Sequence, residues 1–302
     1  MDRLPAELKK DSNVRRVIAQ SPATVDTAQQ LQQYETVSHS GVDLMIAFVL
    51  QPQPFARAIA DAANRGIPTI SAANPVPTAD AVSVDGNKYL GAAETASYIS
   101  RLQSGKGNWL YVKGIAGSAV DLLSVSAWDS VASHCPGVKV IKDQVYGGLS
   151  DSIAKGAMLR YLATHPQPLD AVMQTAYMGT GIMSAFQQSG RAMPVVEDSG
   201  LTKGTLGYWW HNRPKYHGVG TSVPAGPFSP AVAEVALRML HGQGVKLNAL
   251  VGVDPVVTDA NLDKWAEPSW TLTTPGGAPG PRDSFMTSSY INAFFSHPAP
   301  LK

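Results

Sequence analysis

A single cysteine, Cys135, is all that the 302 residues carry. That excludes an intrachain disulfide, a multi-cysteine metal site and a dithiol redox pair. The residue reads as a small, partly buried side chain near a helix end. Charge is scarce too: 24 Lys+Arg against 23 Asp+Glu amount to 16% of the chain, with a net charge of +1. Proteins that hold nucleic acid by neutralising phosphates show a basic excess or stripe, so nucleic acid is not expected as a partner. Long apolar runs are missing as well. The longest, residues 44–50, falls far short of the roughly 20 that a membrane-spanning helix needs. The opening residues, 1–10, are charged and contain a proline, unlike a secretory signal with its apolar middle.

What is present is enough apolar residue for real cores, 44% of the chain, in short apolar runs that alternate with longer segments of helical period. Strands are expected at residues 14–19, 44–50, 69–73, 108–112, 139–146, 169–175, 193–197 and 216–223, with a further extended segment at 250–257. Helices are expected at 27–38, 54–64, 119–133, 152–164, 179–189, 202–212 and 230–241. Near-continuous apolar strands alternating with helices point to an α/β fold whose parallel sheets are covered on both faces. Nine or ten strands fit two sheets of five or six better than one very wide sheet. The polar stretch 105–107 is the first candidate boundary, and segments 216–223 and 250–257 are the other crossing points; residues 275–281 are a loop by composition.

Catalytic patterns are weak. Gly179-Thr180-Gly181 stands between a strand and a helix but lacks a third glycine and an acidic partner, so close packing at a helix start explains it. No Gly-x-Ser-x-Gly elbow occurs. Ser152 and Lys155 match a Ser-x-x-Lys spacing, which helix capping accounts for. His211 and His217 are the closest histidines and have no carboxylate at ligand spacing. No catalytic group, metal or cofactor is expected.

The aromatics say more. Tyr208-Trp209-Trp210 follows Glu197-Asp198-Ser199-Gly200 closely, Trp128 lies within a helix, and Tyr177 and Phe48 lie near strand ends. Aromatic faces beside strand-end carboxylates and amides suit a sugar or polyol, whose ring stacks while its hydroxyls take hydrogen bonds. The competing reading makes Trp128, Trp209 and Trp210 helix-core residues.

Together these elements resemble a known family. Asp26 with Gln29 and Gln30, Gly41-Val42-Asp43, and Gly66-Ile67-Pro68 follow one another as in the ribose-binding-like, type I solute receptors of ABC transporters. Val84-Asp85-Gly86-Asn87 with Gly91, Gly114-Ile115-Ala116-Gly117-Ser118, His165-Pro166 before Leu169-Asp170-Ala171-Val172, and the helix with Ala231, Ala236, Leu240 and Gly242 continue the order. The resemblance spans nearly the whole chain. It implies a periplasmic substrate-binding protein of an ABC importer, not an enzyme, with an inner-membrane ABC permease as partner. A sugar or sugar-like solute would be bound in a cleft between two lobes that close about a hinge. The lobes would comprise residues 1–104 with 224–253, and 105–223 with 254–302, crossing near 105–107, 221–223 and 253–257. The family's first strand and export signal have no counterpart ahead of residue 4, so an N-terminal truncation or misplaced start is expected. An effector domain of a LacI-type transcriptional regulator is the alternative, and an α/β hydrolase a more distant one.

Strand C-terminal ends line the binding cleft in open α/β sheets. The residues expected there are Phe48, Gln51 and Asn74 from one lobe, and Asp121, Trp128, Tyr177, Glu197 and Asp198 from the other. Trp128 and Tyr177 would stack on the solute, with the carboxylates and amides orienting its hydroxyls. Where the family carries an Asp-Arg pair this chain has Ala73 and Asn74, and where it often has a clamping arginine stand Leu122, Leu123 and Ser124. These changes point away from ribose, toward a less polar ligand.

Overall fold

The computed structural model describes residues 3–21, 26–49, 51–222 and 225–297. Its contacts divide the chain into two units: Met1–Gly86 with Ala225–Val253 and Arg282–Lys302, and Asn87–Pro224 with Asp254–Pro281.

In the first unit, helix α1 (Leu4–Leu8) and helix α2 (Thr27–Ser38) precede strand β1 (Met45–Ala47), helix α3 (Phe55–Asn64), β2 (Thr69–Ala72) and β3 (Ala81–Gly86). The Asp26 carboxylate caps α2 by accepting from the N–H groups of Ala28 and Gln29. Phe55, Ala58, Ile59 and Ala62 form the buried stripe of α3, at helical spacing. They pack with Tyr34, Met45, Val49, Val76 and Ala81, and the Tyr34 hydroxyl meets that of Thr69 at 2.7 Å.

The second unit begins with helix α4 (Lys88–Leu102), capped by Asn87, and β4 (Lys106–Lys113). Helix α5 (Ala119–Ser133), β5 (Gly137–Tyr146), α6 (Asp151–Thr164), β6 (Ala171–Gln174), α7 (Gly179–Ser189), β7 (Val195–Ser199), α8 (Lys203–Asn212) and β8 (Val219–Thr221) follow. The chain then returns to the first unit for helix α9 (Ala225–Leu240) and β9 (Ala249–Gly252). It enters the second again for β10 (Val256–Val257) and a 3-10 turn at Leu262–Lys264, and ends in the first with α10 (Ser288–Asn292).

The first unit's sheet is parallel throughout, in the order β1-β2-β3-β9. The second runs β10-β8-β7-β6-β4-β5, with only β10 antiparallel. Interior strands β2, β3 and β6 are buried along their whole length, as sheets covered on both faces require. Edge strand β5 is mostly solvent-facing. Separate apolar clusters fill the second unit, one around Val172, Phe186, Leu206 and Trp209, the other around Ile99, Trp109, Tyr111 and Trp128.

Several sequence expectations change. Residues 14–19 form no strand: Arg15 and Arg16 break the apolar run, and the Arg16 guanidinium donates to Ser40 O at 2.9 Å. Strand β3, absent from the sequence reading, is followed by α4, whose start at Asn87 the Val84–Gly91 resemblance implied. The division at Gly86 precedes the expected boundary at 105–107, because Ala92, Ala96 and Ile99 of α4 join Trp109, Tyr111 and Trp128 in one cluster. The tail from Arg282 falls in the first unit, where Phe285 meets Phe228. Segment 250–257 breaks into β9 and β10, one in each unit. Leu50 and Val223, ends of two expected strands, lie outside the described residues.

Candidate functional site

Parallel strands end together, so each sheet has one edge where the loops after its strands gather. Among the described residues six non-glycine positions have left-handed backbone, and four of them stand just past strand ends: Ala73 after β2, Leu149 after β5, Tyr177 after β6 and Leu201 after β7. A bulky side chain in that region is strained by about 1–3 kcal/mol, and such strain concentrates at ligand clamps and active sites. Both edges are therefore the first places to look for function.

In the first unit Phe48 is half-buried just past β1, edge-on to Phe228 with ring centroids 6.0 Å apart. Its carbonyl accepts from the Gln30 amide. Gln51 is exposed. Asn74 follows β2, but its amide N–H donates to Val49 O at 2.8 Å and its own carbonyl accepts from Ser71 Oγ. Asn74 thus ties the two strand-end loops together.

In the second unit Tyr177 is half exposed, and it alone of the five expected residues presents its side chain at the edge. Its N–H donates to Ser199 O at 2.7 Å, and its hydroxyl bonds Ser222. Gly200 lets the ring lie where it does: a Cβ there would stand 2.8 Å from Tyr177 Cδ1 and 2.9 Å from its N, and Gly200 itself has φ +128°. Only glycine meets both demands.

The other four serve the unit's interior. Trp128, expected to stack on a solute, is fully buried against Tyr111, ring centroids 5.0 Å apart; its place on the inward stripe of α5 makes it core. Trp209 is core as well. Asp121 is buried, and its Oδ1 accepts from Gly114 N–H at 2.8 Å, fixing the loop after β4.

Glu197 and Asp198 were expected to work together, and the strand prevents it. Neighbours on a strand point to opposite faces. Glu197 turns toward α4 and Thr95, and its Oε2 accepts from Ser199 N–H at 3.2 Å. Burial, reinforced by the Asp198 charge, pushes its carboxyl well above the usual range. Asp198 turns toward α8, where Thr202 N–H at 3.0 Å and the Thr205 hydroxyl donate to it. Burial raises its carboxyl to about 7; those two bonds oppose the rise and the Asp151 charge adds to it.

The remaining motifs have structural uses. A Cβ on Gly181 would stand 2.0 Å from Asp151 O, so the Gly179-Thr180-Gly181 stretch is close packing at the start of α7. Ser152 bonds Ser150 Oγ at 3.1 Å rather than a backbone N–H. His211 reaches Trp270 O, and His217 pairs with Asp259 at 2.7 Å. Among the described residues no group of His, Cys, Asp and Glu could hold a metal ion. Sequence reasoning passed over Leu149 and Ser222, because nothing in a sequence signals a leucine or tyrosine in left-handed backbone.

Two parallel α/β units, threaded by a chain that passes repeatedly between them, with strained loops at their strand ends, have the type I binding-protein fold. Residues 5–243 match the family model described as periplasmic binding protein domain. The chain belongs to that family. It is 26% identical over 247 residues to a xylitol-binding protein of Mycolicibacterium smegmatis, covering 80% of this chain and 68% of that one. Among solved structures, an ABC transporter solute-binding protein from Thermobispora bispora aligns over 93% of this chain and 95% of its own with TM-score 0.77 at 19% identity. A solute-binding protein from Bacillus halodurans with bound myo-inositol aligns over 87% and 91% with TM-score 0.75 at 19% identity. One from Actinobacillus succinogenes with bound D-allose aligns over 87% and 94% with TM-score 0.77 at 15% identity.

Proposed function

We propose that this protein is the solute-binding component of an ABC importer, acting in the periplasm, and that its solute is an uncharged sugar or polyol. The observation that carries the reading is the half-exposed Tyr177, held in strained backbone at the edge of the second sheet beside Ser199, Gly200 and Ser222. A tyrosine face of this kind takes the apolar face of a sugar ring, while its hydroxyl and Ser222 meet the solute's hydroxyls. From the first unit, Phe48, Gln51 and Asn74 supply an aromatic edge and two amides. An ABC permease then receives the solute. No bond is made or broken, so no catalytic residue is required.

The family membership and the polyol named for the Mycolicibacterium relative support this class of solute. The test is a thermal-shift panel of xylitol, myo-inositol, D-allose, D-xylose, D-glucose and L-arabinose. A ligand at 100 times its Kd adds about 2.7 kcal/mol, which raises Tm by several degrees at this size. No shift with any member would refute the sugar or polyol class.

A further inference from the structure

We infer that the solute is a sugar or polyol carrying an apolar substituent, and that the β4–β5 end of the second unit's sheet holds that substituent. The inference rests on the solute-binding reading above and adds a direction to it. The edge is split in polarity. At its β6–β8 end stand the Tyr177 hydroxyl, Ser199 and Ser222, all able to meet hydroxyl groups.

At the β4–β5 end three apolar side chains stand beside the Ser150 and Ser152 hydroxyls, which bond each other at 3.1 Å. Leu122, 64% exposed, opens from the first turn of α5, directly after Asp121, which binds Gly114. Leu149, in left-handed backbone, lies over Gly114: a Cβ there would be 2.2 Å from Leu149 Cδ2. Ile153, 54% exposed, lies over the adjoining Gly148. Leu149 and Ile153 thus cover Gly114 and Gly148, one short stretch of strand-end backbone, and Leu122 follows the residue that fixes Gly114.

The charged side chains at this end are already engaged. Lys113 donates to Gln144 at 3.1 Å and stands 5.9 Å from the Tyr146 ring centre. Asp121 and Asp151 accept from the N–H groups of Gly114 and Gly181. A bare polyol would leave Leu122, Leu149 and Ile153 in water. An alkyl or aryl group attached to the sugar covers them.

Isothermal titration of matched probes tests this: D-glucose, D-xylose and L-arabinose, each against its p-nitrophenyl glycoside. At least one glycoside is expected to bind about tenfold or more tighter than its parent sugar. Leu122→Gln, at an exposed helical position, should lower that ratio to about threefold or less, and Ile153→Gln should act in the same direction. Parents that all bind as tightly as their glycosides, or a ratio that both variants leave intact, overturn the substituent subsite while the sugar-binding reading stands. Failure of parents and glycosides alike overturns both.

Discussion

Replacing Asp198 by asparagine should flatten the dependence of the second unit's stability on pH. Asp198 is 2% exposed, and burial raises its carboxyl from 3.8 to about 7. Between those values the folded chain holds a proton that the unfolded chain has released. The stabilisation is therefore complete below pH 3.8 and is lost as pH rises through about 7. At about 1.4 kcal/mol per tenfold change in proton affinity, going from pH 5 to pH 8 removes about 2–3 kcal/mol. Asparagine does not titrate, so that loss disappears in the variant. Its carbonyl can still accept from Thr202 and Thr205, but its amide replaces Oδ1, a buried atom with no partner. An unpaired buried amide costs about 1–3 kcal/mol, so the variant should be the less stable protein at pH 5 and close or reverse the gap by pH 8. All six tryptophans lie in the second unit, so urea unfolding followed by tryptophan fluorescence reads that unit alone. Taking the difference between wild type and variant cancels the histidines and leaves Asp198 together with the part of the Glu197 shift that the Asp198 charge supplies. Parallel profiles from pH 5 to pH 8 would refute a carboxyl titrating near neutrality at this place.

Other substitutions probe the packing and the edge. Gly181→Ala puts a methyl group 2.0 Å from Asp151 O and should lower stability by about 2 kcal/mol or more by the same unfolding assay; a change under about 0.5 kcal/mol would contradict the close approach of α6 and α7. Tyr177→Ala should weaken whichever panel solute binds by about tenfold in titration calorimetry, with little change in the urea midpoint because the side chain is half exposed. Unchanged affinity would remove Tyr177 from the site. The thermal-shift panel and the matched glycoside titrations complete the set.

Much of the fold was legible because its signals are local. Thr27–Ser38, Ala119–Ser133 and Gly179–Ser189 are helices at the bounds their periodicity suggests, each a matter of spacing and a terminal residue such as Asp26, Ser118 or Gly190. Strand β3 and helix α4 were harder to read. The apolar run of residues 81–84 is short, and the small buried residues Gly91, Ala92 and Ala96 give α4 a weak stripe. The site was legible only in outline. Strand ends could be named, but whether Trp128 faced solute or core depended on Tyr111, 17 positions earlier in the sequence.

The scarcity of cysteine and charge, the apolar strands and the helical spacing determine by themselves a parallel α/β protein whose 302 residues form no intrachain disulfide and carry no phosphate-binding stripe. Those are properties of composition and of neighbours a few residues apart. Tertiary structure alone decided which strand-end residues remain available to a solute. Glu197 and Asp198 are adjacent in sequence, yet the pleat of β7 sends them to opposite faces, each into a different buried network. Tyr177, with no motif to mark it, reaches the edge because Gly200, just past the end of β7, makes room for its ring and Ser199 holds its N–H.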